Sequence, residues 1–293
     1  MKKEDVLKIL NRPEHKKLIS LSLTDLKDGE RILITGANGS IGTELLRKLN
    51  KIDDVDFLRF GKTITVLSTD IEGEHEYLDI TDFNNCFSII QKFKPTVIIN
   101  IAGAKHVPLG EKETWKTLSV NTIGTKNLLD CAPEGCKVIL TSTCKSANPE
   151  IVYGASKLIA ERMTINAGGT VARYFNVVES SGNVFEIWKD LPEDCPIELA
   201  PTCERHFISL EEAVGLLFYA MISEPGRYIV NSGYLHKMSD VAKRLYPNRK
   251  KIIIEPRRGD RLTERFLATS EGQGESLLDG SIIRLTSIHD EEY

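Results

Sequence analysis

Two apolar periods alternate along the first 175 residues. Compact apolar runs at 31–35, 63–67, 96–101, 137–142 and 170–175 have the length of buried strands. Between them, over 41–50, 81–93, 113–131 and 151–167, apolar residues recur every three or four positions, as on a helix face. Strands alternating with helices predict an α/β fold, a parallel sheet covered on both faces with its ligand at the carboxyl ends of the strands. Ahead of this pattern, Val6, Leu7, Ile9 and Leu10 predict a short amphipathic helix that Pro13 ends. After about residue 176 the alternation breaks down. Prolines 192, 196, 201 and 225 punctuate the sequence, one helix is predicted near 210–222, and the Gly/Ser/Glu-rich stretch from about 270 predicts no element. The expected organisation is a helical prefix at 1–28, a doubly wound domain at 29–176, and at 177–293 mainly a smaller lobe that closes over substrate and can return elements to the sheet.

The first strand runs into Thr35-Gly36-Ala37-Asn38-Gly39-Ser40-Ile41-Gly42, followed by a helical pattern. Strand, glycine loop and helix in this order suit a dinucleotide pyrophosphate. Glycines let the backbone turn and approach the phosphates, and the helix N-terminus offers free N–H groups. Gly36, Asn38, Gly39, Ser40, Ile41 and Gly42 are therefore candidate cofactor contacts, and the fold is read as Rossmann-type.

Tyr153 and Lys157 lie four apart on a predicted helix and so share a face. Thr143 ends the strand just before it. A hydroxyl, a tyrosine and a lysine placed together make a proton-handling unit. The ammonium favours the phenolate, which takes a proton from a substrate hydroxyl as hydride leaves for a nicotinamide. The Tyr-x-x-x-Lys spacing is common by itself; the glycine loop upstream is what gives it meaning.

Composition removes several function classes. The chain has 293 residues and a net charge of −4 without a basic tract, which argues against nucleic acid as a partner. No apolar run approaches the ~18 residues that span a bilayer, and the first residues lack the apolar core of a signal peptide. Cys86, Cys131, Cys136, Cys144, Cys195 and Cys203 form no Cys-x-x-Cys pair and have no His-rich neighbours, so reduced thiols in a cytoplasm are expected, with no metal.

At this point the chain resembles the extended short-chain dehydrogenase/reductases. Within them it is most similar to the nucleotide-sugar 4,6-dehydratases of capsule and flagellin-glycan synthesis, which act on UDP-N-acetylglucosamine. The likeness covers nearly the whole chain. It runs through the prefix at 5–28, Asn100-Ile101-Ala102-Gly103-Ala104-Lys105-His106-Val107-Pro108, Val120-Asn121-Thr122-Ile123-Gly124-Thr125, Ala172-Arg173-Tyr174-Phe175-Asn176-Val177, the start of a lobe helix at 205–213, and Arg257-x-Gly259-x-x-x-x-Glu264. The resemblance implies that Asp79 and Ile80 contact adenine, that Ala102, Gly103 and Ala104 line the cofactor channel, and that Asn121 is structural. Thr143 would orient the sugar 4-hydroxyl, Tyr153 would be the base, and Lys157 would hold the nicotinamide ribose. Lys105, His106, Asn176, Arg205, Arg257 and Glu264 would form the UDP-sugar site, with Asn176, Arg205 and Arg257 on the diphosphate. A homo-oligomer is expected, as is common among the relatives.

One departure stands out. The dehydratases usually carry Asp after the Thr, and then Glu or Lys; this chain has Cys144 and Lys145. Elimination needs a base for the C5 proton and an acid for the departing 6-hydroxyl. Lys145 serves as base only when neutral, which requires burial to lower its pKa, and Cys144 would be the acid. The leading expectation is a UDP-N-acetylglucosamine 4,6-dehydratase, with or without C5 inversion. The competing ones are a 5,6-dehydratase of the tunicamycin-pathway type, a UDP-sugar 4-epimerase, and a non-catalytic NADP-binding sensor. The second strand runs to Ser68, Thr69 and Asp70. With Ser68 and Thr69 at the ribose, NADP is expected; with Asp70 reaching back, NAD is the alternative.

Overall fold

The computed structural model describes residues 1–50, 63–200, 203–255 and 263–287. Helix α1 (Lys3–Leu10) precedes β1 (Arg31–Thr35), α2 (Ser40–Asn50), β2 (Thr65–Asp70), β3 (Glu76–Tyr77), α3 (Phe83–Phe93) and β4 (Val97–Asn100). Then come α4 (Gly124–Cys131), β5 (Lys137–Thr143), α5 (Val152–Asn166), β6 (Thr170–Tyr174), α6 (Leu210–Ile222), β7 (Gly226–Val230), β8 (Glu271–Leu277) and β9 (Ile282–Ser287). Among the described residues the main sheet has the order β8-β9-β7-β6-β5-β4-β1-β2-β3. It is parallel from β7 through β3, and β8 and β9 run antiparallel at one edge. The order 3-2-1-4-5-6 is that of a Rossmann sheet, and β1 and β4 flank its switch point.

The apolar runs are continuous because both faces of the sheet are covered. Ile32 and Ile34 of β1 point to one side, into a core with Leu45 of α2 and Val214, Leu217 and Phe218 of α6. Leu33 points to the other, among Ile90 of α3, Ile98 of β4 and Leu128 of α4. All three β1 side chains are fully buried, each contributing about 1.5–3 kcal/mol over exposure. A separate core belongs to the second lobe, where Val6, Ile9 and Leu10 of α1 pack with Phe185, Trp188, Ile197, Leu199, Met238 and Val241. Helix α1 is thus built into that lobe, while Leu18, Leu23 and Leu26 of the prefix pack into the main-sheet core.

Several elements differ from expectation. The second strand begins at Thr65 and runs on to Asp70, three residues beyond the apolar run. The helix expected over 113–131 starts at Val107, breaks at Glu113 and passes through a π-helical turn at Ser119–Ile123 before α4. Asn121 lies in that turn. The helix at 210–222 does not stand apart in the lobe: it lies on the main sheet, and β7 follows it as a further parallel strand. The stretch from 270, which predicted nothing, forms the hairpin β8–β9 on the edge of β7. Its first strand is mostly exposed, so it lacks the apolar pattern by which strands are recognised. Among the described residues no helix is long and apolar enough to cross a membrane, and no cluster suits a metal ion.

Candidate active site

The glycine loop follows β1 under tight steric control. Gly36 has φ +70, and a Cβ there would stand 2.5 Å from the Ala102 nitrogen. A Cβ on Gly42 would stand 2.5 Å from the Gly36 carbonyl oxygen. Gly39 is less confined. The Asn38 N–H donates to the Asp70 carboxylate at 2.9 Å, so the acid at the end of β2 does reach the loop. Ser40 accepts from the Ser181 N–H at 2.9 Å, and Lys105 donates to the Ser181 carbonyl at 2.9 Å. Ser181, which sequence reasoning missed, thereby joins the 179–183 segment to both the loop and the end of β4. His106 faces the same segment: a Cβ on Gly182 would meet its ring at 3.2 Å. Ile41 opens α2 and packs against the sheet core.

Four expected cofactor contacts are turned elsewhere. Thr69 is fully buried and donates to the Ile34 carbonyl, inside the sheet. Ser68 is paired with His75 at 3.0 Å. Ile80 is a core side chain against Gly124, and Asp79 accepts from the N–H and hydroxyl of Thr81, building the turn before α3. Strand alternation explains Thr69: only every second residue of β2 faces outward.

At the end of β4, Asn121 brackets Ala104. Its Oδ1 accepts from the Ala104 N–H at 2.9 Å, and its Nδ2 donates to the Ala104 carbonyl at 3.0 Å and to Ser156 at 3.0 Å. This is the structural role expected for it. Ala102 N–H donates to Thr35 at 3.3 Å, and a Cβ on Gly103 would stand 3.2 Å from the Lys157 Nζ. The cradle therefore fits a nicotinamide dinucleotide: backbone approaches closely at Gly36, and Gly103 leaves room beside a lysine.

Thr143 ends β5 and caps a short 3-10 turn, Cys144–Ser146, by accepting from the Lys145 N–H. Helix α5 starts six residues on, which brings Tyr153 to Thr143, whose hydroxyl favours the phenolate. Burial raises the Tyr153 pKa, against the pull of the Lys145 charge. Lys157, one turn along, is buried and donates to the Thr141 carbonyl at 2.9 Å. Burial lowers its pKa to about 8, with Glu161 opposing.

Cys144 is fully buried in the core that also holds Ala172, Tyr174 and Phe175, and burial pushes its thiol up to about 11. Lys145 does not meet the condition set for a base. Burial alone would lower its pKa, but the Glu264 carboxylate, 2.9 Å from its Nζ, raises it above the ordinary value. Glu264 also accepts from Asn176 Nδ2 at 2.6 Å and lies 3.6 Å from the Arg205 Nε. The structure thus gathers Thr143, Cys144, Lys145, Tyr153, Asn176, Arg205 and Glu264 at one corner beside the carboxyl ends of β5 and β6. Arg257 lies outside the described residues.

Behind this corner is a buried charge network that sequence reasoning missed. Glu161, one turn past Lys157, accepts from Ser142 at 2.5 Å and Ser146 at 2.6 Å, on either side of the Thr143–Lys145 segment. Arg173 of β6 forks onto Glu161 and onto Glu271 of β8. The signal was present as Tyr-x-x-x-Lys-x-x-x-Glu, since the i, i+4 spacing puts Glu161 on the same face.

Residues 32–284 match the family model described as polysaccharide biosynthesis protein. The chain belongs to this family. Among curated relatives, it is 28% identical over 295 residues to the probable polysaccharide biosynthesis protein EpsC of Bacillus subtilis, covering 89% of this chain and 49% of that protein. It is 30% identical over 285 residues to the capsular polysaccharide biosynthesis protein CapD of Staphylococcus aureus, covering 87% of this chain and 47% of that one. The chain therefore spans about half the length of these two relatives. It is also 29% identical over 273 residues to an inverting UDP-N-acetylglucosamine 4,6-dehydratase of Campylobacter jejuni, covering 83% of this chain and 79% of that enzyme. Among solved structures it is similar to Pen from Bacillus thuringiensis, with TM-score 0.66, 22% identity and 82% and 83% of the two chains covered. It is likewise similar to Thermus thermophilus UDP-glucose 4-epimerase in complex with NAD, with TM-score 0.67, 20% identity and 81% and 90% covered. These two likenesses establish the Rossmann-type fold of the family member described here.

Proposed function

We propose that this family member is a nicotinamide-dependent nucleotide-sugar 4,6-dehydratase acting on UDP-N-acetylglucosamine or a close UDP-hexosamine. The observation that carries the reading is a second proton-handling group, Lys145, in the same corner as Thr143 and Tyr153. A 4-epimerase needs only the Thr-Tyr-Lys unit. The sequence likeness to the Campylobacter jejuni dehydratase supports the same reading.

The bound nicotinamide would supply transfer of a hydride from C4 and its return to C6. Thr143 orients the 4-hydroxyl and Tyr153 takes its proton. Lys157 holds the ribose hydroxyls and favours the phenolate. With C4 as a ketone, the C5 proton is acidic and passes to Lys145 once that side chain has given up the proton that Glu264 favours. The 6-hydroxyl leaves as water with a proton from Cys144, whose thiol retains it at neutral pH. Asn176 and Arg205 suit the diphosphate, since an Arg fork matches phosphate oxygens. A 5,6-dehydratase would use the same groups and differ in where the hydride returns.

The cofactor assigned here is NAD, in place of the NADP expected from Ser68 and Thr69. Both of those side chains are engaged elsewhere, and Asp70 places a negative charge at the glycine loop, where it opposes a 2′-phosphate. The test of the reaction class is mass spectrometry of UDP-N-acetylglucosamine after incubation with the protein and either dinucleotide. Loss of one water supports dehydration. Unchanged mass with a C4 epimer seen by proton NMR of the same sample would assign epimerisation instead.

A further inference from the structure

Glu264 was expected to bind substrate, but a carboxylate repels a diphosphate. Its position suggests different work. It is 3% exposed, and its polar neighbours include Lys145 Nζ at 2.9 Å, Asn176 Nδ2 at 2.6 Å, the His206 N–H at 3.4 Å and Arg205 Nε at 3.6 Å. Three of these lie on elements that would face the sugar nucleotide. Other groups facing the pair are Thr143 and Cys144 on the same turn, Tyr153 on α5, and the His206 ring, which is held by Ser232 at 2.7 Å.

We infer that Glu264 is a positioning residue that keeps Lys145 in its charged form and so decides when that side chain can accept a proton. This rests on the reading of Lys145 as the elimination base. Two opposed effects act on the lysine. Burial disfavours its ammonium, and the adjacent carboxylate favours it. With Glu264 in place the carboxylate wins, and the pKa is raised. With its charge removed, burial is left as the larger influence and the amine is freed at lower pH. Because Glu264 also holds Asn176 and approaches Arg205, a diphosphate arriving at those two groups competes for the same contacts. Binding of substrate and release of the Lys145 proton are thereby joined at one carboxylate.

The test labels lysine amines in competition with trace acetic anhydride across pH 7–10, in the protein without substrate, and reads each site by peptide mass spectrometry. Only a neutral amine reacts, so the pH dependence reports protonation separately from access. In the unaltered protein, Lys145 should remain resistant up to a pH above that of an ordinary exposed lysine. In Glu264→Gln its neutral fraction at a given pH should rise at least about tenfold, since an opposite charge at this range moves a pKa by about 1–3 units. Glu264→Asp should restore part of the resistance. Labelling of Lys145 like a free lysine in the unaltered protein would overturn the inference, even if the variants fail to fold. So would an unchanged profile in a folded Glu264→Gln. No substrate enters the tube, so the inference can fail while the dehydratase reading stands, and the reverse.

Discussion

Arg173 holds Glu161 by two hydrogen bonds, Nε to Oε1 at 3.1 Å and Nη2 to Oε2 at 2.6 Å, with both side chains fully buried. Through Glu161 the pair braces Ser142 and Ser146, and through Glu271 it ties this brace to the edge hairpin. Removing the cation takes the fork away from two buried carboxylates and leaves Glu161 the more distant Arg227 Nε, 3.5 Å from its Oε2. Arg173→Met should therefore cost about 3–5 kcal/mol in chemical denaturation. A loss below about 1 kcal/mol would mean that the network carries little of the fold.

Tyr153→Phe removes one hydroxyl from the first turn of α5. If that oxygen takes the substrate proton, turnover should fall by about 10²–10⁴ with the melting temperature unchanged. Steady-state rates beside a thermal scan check this, and retained turnover would remove Tyr153 from the chemistry.

Dinucleotide affinity should weaken with alkalinity. Lys157 loses its proton at about 8 because it is buried. Below that pH its ammonium can hold the ribose hydroxyls, and above it the charge is gone. Calorimetric titration with NAD should show weaker binding as pH rises through about 8. Lys157→Met should bind weakly throughout, without that step.

Asp70→Asn keeps an acceptor for the Asn38 N–H but removes the charge. The unaltered protein should prefer NAD, and the variant should recover NADP binding by roughly tenfold, about 1.4 kcal/mol. Equal affinities in the unaltered protein would show that Asp70 does not discriminate.

The central sheet was legible because its strands are buried on both faces and its helices on one, which writes two different periods into the chain. Ser40, Thr143, Tyr153 and Lys157 were legible because short local spacings place them. The contacts of Lys145 were not. Its partner Glu264 is 119 positions away, and the pairing exists only because the chain returns from the second lobe to the end of β5. A pKa lowered by burial was the condition set for Lys145 as a base; the shift runs the other way, since its sign depends on the partner. The hairpin β8–β9 was hidden for another reason: an edge strand with one solvated face needs no apolar run.

Cys144→Ala separates the chemistries that share this corner. If the thiol supplies the proton for the departing hydroxyl, water loss should slow by about 10² or more while oxidation at C4 persists. Isotope exchange at C4 and product formation, measured together, resolve the two. Full dehydration by the variant would leave Cys144 the packing role that its complete burial also suits.

The most direct test of the dehydratase account is proton NMR of UDP-N-acetylglucosamine incubated in heavy water with the protein and catalytic NAD. The account predicts a new 6-methyl signal together with 4-keto or hydrate resonances, deuterium at C5, and a C5 coupling that reports inversion or retention. Vinyl signals without a methyl would place the protein with the 5,6-dehydratases. A product changed only at C4 would contradict the account and assign it as an epimerase.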